Sequence, residues 1–308
     1  MIERNQELAD FLRRARSQVD PGRTGLPADG RVRRVPGLRR EEVAMLAQVS
    51  ADYYTRLEQG RPISPSPSIV DAIARALDLD EAGRKHLRDL IGAERSVRRS
   101  RRPTSVQRPR HGLLQLLDSL DGVPALLLGR RTDVLATNAL GRALLADFDA
   151  MPAKDRNYAR WMFLADDARE LLVDWDLQAR AVVENLRLDV GRDPHDPATE
   201  ALIGQLTIAS PEFAAWWREH RVFERTYGDK RFRHPVVGEL TLHYESLTLP
   251  GDAEQTLFLY TAEVGTAHRD ALDLLASWAL SASGRARRTP SAQEGTASIP
   301  LGPATRDR

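Results

Sequence analysis

The chain has 308 residues, with 45 Lys and Arg against 44 Asp and Glu, a formal net charge of +1 and no cysteine. That length holds two ordinary domains. The balanced charge assigns no charged partner to the molecule as a whole, and the missing cysteines exclude disulfides, Cys-ligated zinc and thiol redox sensing. No apolar run approaches the ~20 residues of a membrane-spanning helix. The N-terminus lacks the apolar core of a signal peptide, and no internal repeat appears, so a cytoplasmic protein without a membrane partner is expected. Residues from about Glu3 to Ser17 read as a first helix, with Leu8, Phe11, Leu12 and Ala15 on one stripe and Arg13, Arg14 and Arg16 off it. A Gly- and Pro-rich loop from Asp20 to Gly37 carries Arg23, Arg31, Arg33 and Arg34. It is either a solvated loop or a source of phosphate or minor-groove contacts.

The run Gly37 to Gly60 reads as two short helices with a tight turn. Val43, Ala44, Leu46 and Ala47 form one apolar stripe, and Glu41 and Glu42 sit in a first turn, where the helix dipole favours carboxylates. Val49-Ser50 marks the turn, and Ser50 suits an N-cap. In the next helix Tyr54 and Leu57 face inward, which leaves Asp52, Tyr53 and Arg56 facing outward, and Gly60 stops the helix. A helix with an Arg, an aromatic and short polar groups on its outer face suits the DNA major groove.

The segment Pro36-Gly37-Leu38-Arg39-Arg40-Glu41-Glu42-Val43-Ala44, followed by Tyr53-Tyr54-Thr55-Arg56-Leu57-Glu58-Gln59-Gly60-Arg61, resembles the helix-turn-helix of the XRE family of phage-repressor type. The wider sequence resembles the MmyB-like branch of that family. Two positions depart from the pattern. Gln48 stands where the turn usually has Gly, at a strain on the order of 1 kcal/mol if its φ is positive. Arg39 stands where many relatives place a Ser or Thr cap. The resemblance implies that Ala51, Asp52 and Arg56 face bases, and that Arg40, Tyr53, Gln59 and Arg61 lie near phosphates. Arg56 is the candidate for a bidentate guanine contact, and Ala51 for a thymine methyl. Arg39, Ser50, Arg33 and Arg34 complete the expected DNA-binding set. The expected partner is double-stranded DNA.

After Gly60, Arg61-Pro62-Ile63-Ser64-Pro65-Ser66-Pro67 cannot be helix interior. Ser66 with Pro67 starts a fourth helix, with Ser68 and Asp71 as an alternative capping box. That helix buries Ile69, Val70, Ile73, Ala74 and Leu77. Asp80 then caps a fifth, whose Leu87, Leu90 and Ile91 face inward before Gly92. These five helices make an all-α, lambda-repressor-like helix-turn-helix domain over residues 1–92. Residues 93–111 form a basic linker with Arg95, Arg98, Arg99, Arg101, Arg102, Arg108 and Arg110. It reads as a solvated tether, or as one that adds salt-sensitive phosphate attraction.

Residues 112–280 are expected to form the second domain, and residues 281–308 a disordered tail. The second domain opens with a Leu-rich helix from Leu113 to Leu120. A hairpin around Arg130-Arg131-Thr132 and a helix from Asn138 to Ala146 follow. A long helix is expected from about Ala165 to Gly191, then a turn at Pro194-His195-Asp196-Pro197, a helix holding Leu202, Ile203 and Leu206, and a short helix from Ser210 bearing Trp216 and Trp217. Lys230 to His234 and Gln255 to Glu263 are strand-like. Gly238 to Leu247 alternates with period two, so Leu240, Leu242 and Tyr244 share a face. Ala271 to Leu280 closes as a helix. Strands at both ends with helices between them suggest an α+β domain with an antiparallel sheet. His234-Pro235-Val236-Val237-Gly238-Glu239-Leu240-Thr241-Leu242-His243-Tyr244-Glu245 with Tyr260-Thr261-Ala262-Glu263 again resembles MmyB-like proteins. The resemblance implies a PAS-like domain that binds small, partly apolar or fatty-acid-like molecules.

Trp161, Trp175, Trp216, Tyr244 and Phe258 are candidates to line such a pocket, and Arg180 and His234 to anchor a carboxylate or carbonyl. The plainer reading, which has the stronger claim on each single residue, is ordinary core for the aromatics and a surface or capping salt bridge for Arg180 and His234. His243 and Glu245 share a strand face but make an incomplete metal site. No nucleophile elbow, phosphate-binding loop or paired-carboxylate motif appears, so no catalytic residue, metal or cofactor is expected. The resulting reading is a homodimeric, sequence-specific transcription regulator that senses a small effector. Its rivals are a second domain that only dimerises or docks a protein, and a DNA-tethered enzyme.

Overall fold

The computed structural model describes residues 5–25, 37–96, 107–193, 196–223 and 225–286. The head consists of α1 (Gln6–Gln18), α2 (Arg40–Leu46), α3 (Ala51–Glu58), α4 (Pro67–Ala76) and α5 (Glu81–Ser96). Each start has a local cause. Asn5 accepts the Leu8 amide of α1, Ser50 the Tyr53 amide of α3, and Ser66 the Ile69 amide of α4, where Pro67 opens the helix. Arg39 contributes no side-chain cap to α2; instead the Glu42 carboxylate accepts the Arg39 amide at 2.6 Å. Leu8, Leu12, Leu38, Val43, Tyr54, Leu57, Ile73, Leu87 and Leu90 form the centre of one apolar core. The fifth helix does not stop at Gly92 but runs on to Ser96, into the stretch expected as linker. A helical glycine costs only about 1 kcal/mol, too little to end a helix that packs against the second domain.

The body is α+β. After α6 (His111–Asp118), β1 (Ala125–Leu128) and β2 (Val134–Thr137) form a hairpin. Six helices follow: α7 (Ala139–Leu144), α8 (Tyr158–Leu164), α9 (Asp166–Leu171), α10 (Trp175–Arg192), α11 (Pro197–Ala209) and α12 (Pro211–Trp217). Then come β3 (Tyr227–His234), β4 (Gly238–Leu249), β5 (Asp252–Thr261) and α13 (Ala267–Ala286). The strands form one antiparallel sheet in the order β2-β1-β5-β4-β3. Strand alternation divides the core. Leu126, Leu128, Phe232, Leu240, Leu242, Tyr244 and Tyr260 face the large helical core, while Ala125, Leu127 and Leu257 face α6 on the other side.

Two expectations are corrected. The single long helix is two, because the chain leaves α9 to touch the sheet: Leu172 bridges to Phe232, and the Val173 amide donates to the Arg231 carbonyl. The closing helix continues past Leu280 to Ala286, into the stretch expected as tail. Arg33, Arg34, Arg98, Arg99, Arg101 and Arg102, with Pro194 and His195 of the expected turn, lie outside the described residues. Among the described residues, no helix is long and apolar enough to cross a membrane.

Candidate DNA-reading face and effector core

The turn between α2 and α3 places Gln48 at φ 55°, so this position takes the left-handed conformation that Gly adopts without strain. At the other end, Gly60 has φ 63°, and a side chain there would run into the Asn5 backbone, which donates to the Gly60 carbonyl at 3.0 Å. Between these turns α3 is fixed from below. Tyr54 and Leu57 are buried, and Glu58 lies beneath them with its side chain fully enclosed. The Arg16 guanidinium donates to both Glu58 oxygens at 2.7 and 3.1 Å, and Arg40 Nε donates to Oε1 at 2.8 Å. Arg16 also reaches the Leu38 carbonyl at 2.7 Å. Burial pushes the Glu58 carboxyl up, but the Arg16 and Arg40 guanidiniums outweigh it and hold the pKa below the usual carboxylate value. One carboxylate thus ties α1 and α2 to α3.

On the opposite side Ser50, Ala51, Asp52, Arg56, Gln59 and Arg61 are exposed, and Tyr53, Arg39 and Arg40 are half-buried. Among the described residues, the Arg56 and Arg61 side chains have no partner. Arg40 spends its Nε on Glu58, so only the outer edge of its guanidinium faces outward. Ser50 accepts the Tyr53 amide, which makes it a cap first.

The body's candidate residues fall into two aromatic groups. In the first, Phe163 meets Trp175, Phe213 and Trp216 edge-on, with centroids at 5.8, 5.1 and 6.3 Å. Arg169 lies over the Trp175 ring at 3.6 Å, and Arg180 over Trp216 at 4.9 Å while pairing with Glu219 at 2.8 Å. Arg180 is therefore already engaged. So is His234, whose Nδ1 accepts the Val236 amide at 3.2 Å and whose Nε2 meets the Ala143 carbonyl at 2.9 Å. Burial lowers its pKa, so the ring is neutral at pH 7.

The second group surrounds a residue that the sequence reading passed over. Lys230 is buried, with Nζ 3.3 Å from the Tyr260 hydroxyl, 3.5 Å from the Tyr158 hydroxyl and 4.9 Å from the centroid of Tyr244. No carboxylate pairs with it among the described residues. Desolvation lowers its pKa to about 8. Trp161 packs on Tyr158 at 5.3 Å, and its indole Nε1 is buried without an acceptor among the described residues. Two buried donors thus flank Tyr158. The signal for Lys230 lay in the alternation of Lys230, Phe232 and His234, all inward on β3. Phe258 meets Tyr244 at 6.4 Å at the edge of this group. On the other face of β4, His243 pairs with Asp229 at 3.0 Å and Glu245 at 3.3 Å, and Asp229 leads in raising its pKa. Among the described residues no cluster suits a metal ion.

Head and body touch through α10. Arg187 is buried, donates to Glu7 of α1 at 2.9 Å and to the Trp217 carbonyl, meets His220 Nδ1 at 2.8 Å and lies 3.9 Å over the Trp217 ring. One turn on, Gly191 admits the His86 ring of α5; a Cβ at Gly191 would overlap it. His86 also meets Phe11 edge-on at 5.0 Å.

A helix-turn-helix head joined to a separate α+β body is the build of a DNA-binding regulator with a second, non-DNA-binding domain. A helix-turn-helix domain model matches residues 7–87, and the model of the MmyB-like transcription regulator ligand-binding domain matches residues 109–275, more than half of the chain. The chain belongs to the MmyB-like transcription regulators, a family of regulators and not of enzymes. No curated protein matches it.

Proposed function

We propose that this regulator acts as a homodimer. Its head reads a specific duplex site through α3, and its body binds a small, partly apolar acid in the aromatic core around Lys230. The observation that carries the effector assignment is the pair of buried donors: among the described residues, Lys230 Nζ meets only phenol hydroxyls and no carboxylate, and Trp161 Nε1 has no acceptor. A buried cation is costly unless it is paired. A carboxylate supplied by the effector neutralises Lys230 and accepts from the indole, while Tyr158, Tyr244 and Phe258 cover its apolar part. Trp175 and Trp216 extend the apolar wall.

In the head, Arg56 makes the bidentate guanine contact, Ala51 and Asp52 lie against bases, and Arg39, Arg40, Tyr53, Gln59 and Arg61 hold phosphates. Two-fold operators call for two heads. The outer face of α13 leaves Leu274 and Trp278 exposed one turn apart, which suits contact with a second copy. The effector acts through its difference in affinity between two arrangements of the heads.

Native mass spectrometry of the full chain purified from cells tests this reading. The expected species is a dimer carrying a carboxylic acid, and Lys230→Met is expected to lose the acid and keep the dimer. An acid retained by Lys230→Met, or a preparation with no adduct that also fails to bind added long-chain acids, overturns the effector assignment. A monomer that occupies a palindromic operator overturns the dimer.

A further inference from the structure

Head and body also border a crevice whose lining shares no residue with the aromatic core around Lys230. Its head wall is α1, the turn that follows it, and the turn between α4 and α5. Its body wall is the stretch His220 to Phe223. The chain reverses at His220 with φ 49°, and Val222 then packs on the apolar core of the head. The volume of this crevice is about 640 Å³, within the range of small-molecule sites. Phe11, Ala15, Leu77 and Val222 provide an apolar lining, to which the partly exposed Phe223 adds its ring.

The charges around it are unevenly committed. The carboxylates of Asp20 and Asp80 already accept backbone amides, from Gly22 at 2.9 Å and Gly83 at 2.8 Å, and the third carboxylate of the lining, Asp78, is exposed to solvent. Among the described residues the Arg14 Nε is shielded from solvent without an acceptor, and the exposed side chain of Arg75, which also lines the crevice, has no partner. An unmet buried donor costs stability until an acceptor arrives.

We propose that this crevice is a binding site for a small organic anion with an apolar body, distinct from the effector site in the core. The anionic group accepts from Arg14 and Arg75, and the apolar part lies on Phe11, Leu77 and Val222. Because its walls come from both domains, an occupant binds the docked arrangement better than the undocked one and holds head to body. By reciprocity, whatever DNA does to docking it does to this ligand's affinity.

Two fluorescent probes with the same rings and different charge test the site on the full chain: 8-anilinonaphthalene-1-sulfonate and N-phenyl-1-naphthylamine. The sulfonate is expected to bind more tightly than the amine and to raise the melting temperature. Replacing Arg14→Gln together with Arg75→Gln is expected to weaken the sulfonate by about tenfold, the worth of one charge-assisted hydrogen bond, and to leave the amine unchanged. Phe223→Ala weakens both probes, and Lys230→Met weakens neither. Equal affinity of the two probes, or a sulfonate affinity untouched by the arginine pair, overturns the site. Loss of sulfonate binding in Lys230→Met places the anion in the core and overturns the crevice while leaving the effector assignment standing.

Discussion

Each domain buries a charge, and the two do so in opposite ways. In the head, Glu58 is enclosed and met by two guanidiniums with three hydrogen bonds. In the body, Lys230 is enclosed and, among the described residues, met only by two phenol hydroxyls and three aromatic rings. A charge neutralised from within the chain is architecture: it fixes one helix against two others and wants nothing more. A charge left open inside a core is a demand on something outside the chain. The same test sorts the surface, where Arg40 is tied inward and Arg56 is not.

The largest effect follows from opening the closed site. Glu58→Ala leaves the guanidinium of Arg16, 11% exposed, without its partner, and is expected to destabilise the head by about 3–5 kcal/mol. Denaturant unfolding measures this, and the double change Glu58→Leu with Arg16→Met is expected to recover most of the loss. A small effect of Glu58→Ala alone would place Glu58 among ordinary surface pairs.

Removing the open charge has the opposite sign. Lys230 has a folded pKa near 8 against 10.5 for the free side chain. The unfolded chain therefore binds more protons between these values, and stability rises with pH across that window. The penalty is fully present below pH 8 and vanishes above about pH 10.5. Lys230→Met is expected to stabilise the effector-free protein by about 3 kcal/mol at pH 7. That gain is expected to shrink as pH climbs through the window and to come with loss of the effector. Unfolding curves from pH 7 to 10 read it directly.

Arg56→Ala deletes a charge whose partner is proposed to be a base. It is expected to weaken specific DNA binding by roughly 1–3 kcal/mol and relax preference at one position. Footprinting on an operator selected from random DNA would detect it, and an unchanged footprint would remove Arg56 from the base-reading set. The smallest effect concerns His86, between the two regions. Burial, with Arg187 nearby, lowers its pKa to about 3 from 6.5, so the folded protein keeps it neutral. As pH falls below 6.5 the unfolded chain takes up a proton that the folded chain refuses, and stability falls. From pH 7 to 5.5 the loss is expected to be about 1 kcal/mol. His86→Leu should flatten that stretch of the stability profile; an unaltered slope would assign it to other groups.

The head was legible in the sequence because its signals are local. Caps, a stripe at helical spacing and the stop at Gly60 all lie within a few residues of what they specify. Glu58 was passed over although it falls on the inward arc with Tyr54 and Leu57, because a carboxylate there makes sense only with Arg16, 42 positions away. The body depends more on such distant pairings. Its antiparallel sheet could be read from the strand pattern, but the order that places β5 between β1 and β4 could not. The break between α9 and α10 falls in the unbroken apolar run Leu171-Leu172-Val173, where only a partner strand more than fifty residues on forces the chain out of a helix. Lys230 was hidden by its type: the strand pattern put it inside, and its charge argued against reading it so.

Helix α10 has 18 residues and so spans about 27 Å. One end carries Trp175 in the aromatic core, and the other carries Arg187 and Gly191 against the head. Counted by its neighbours, it has tenancy in both domains, and that bears on any attempt to build chimaeras from this protein. A foreign DNA-reading module spliced on at the linker would meet a socket shaped for Glu7, Phe11 and His86. Grafts that carry those three positions along should keep their seat, and grafts that leave them behind should dangle, whatever the quality of the splice.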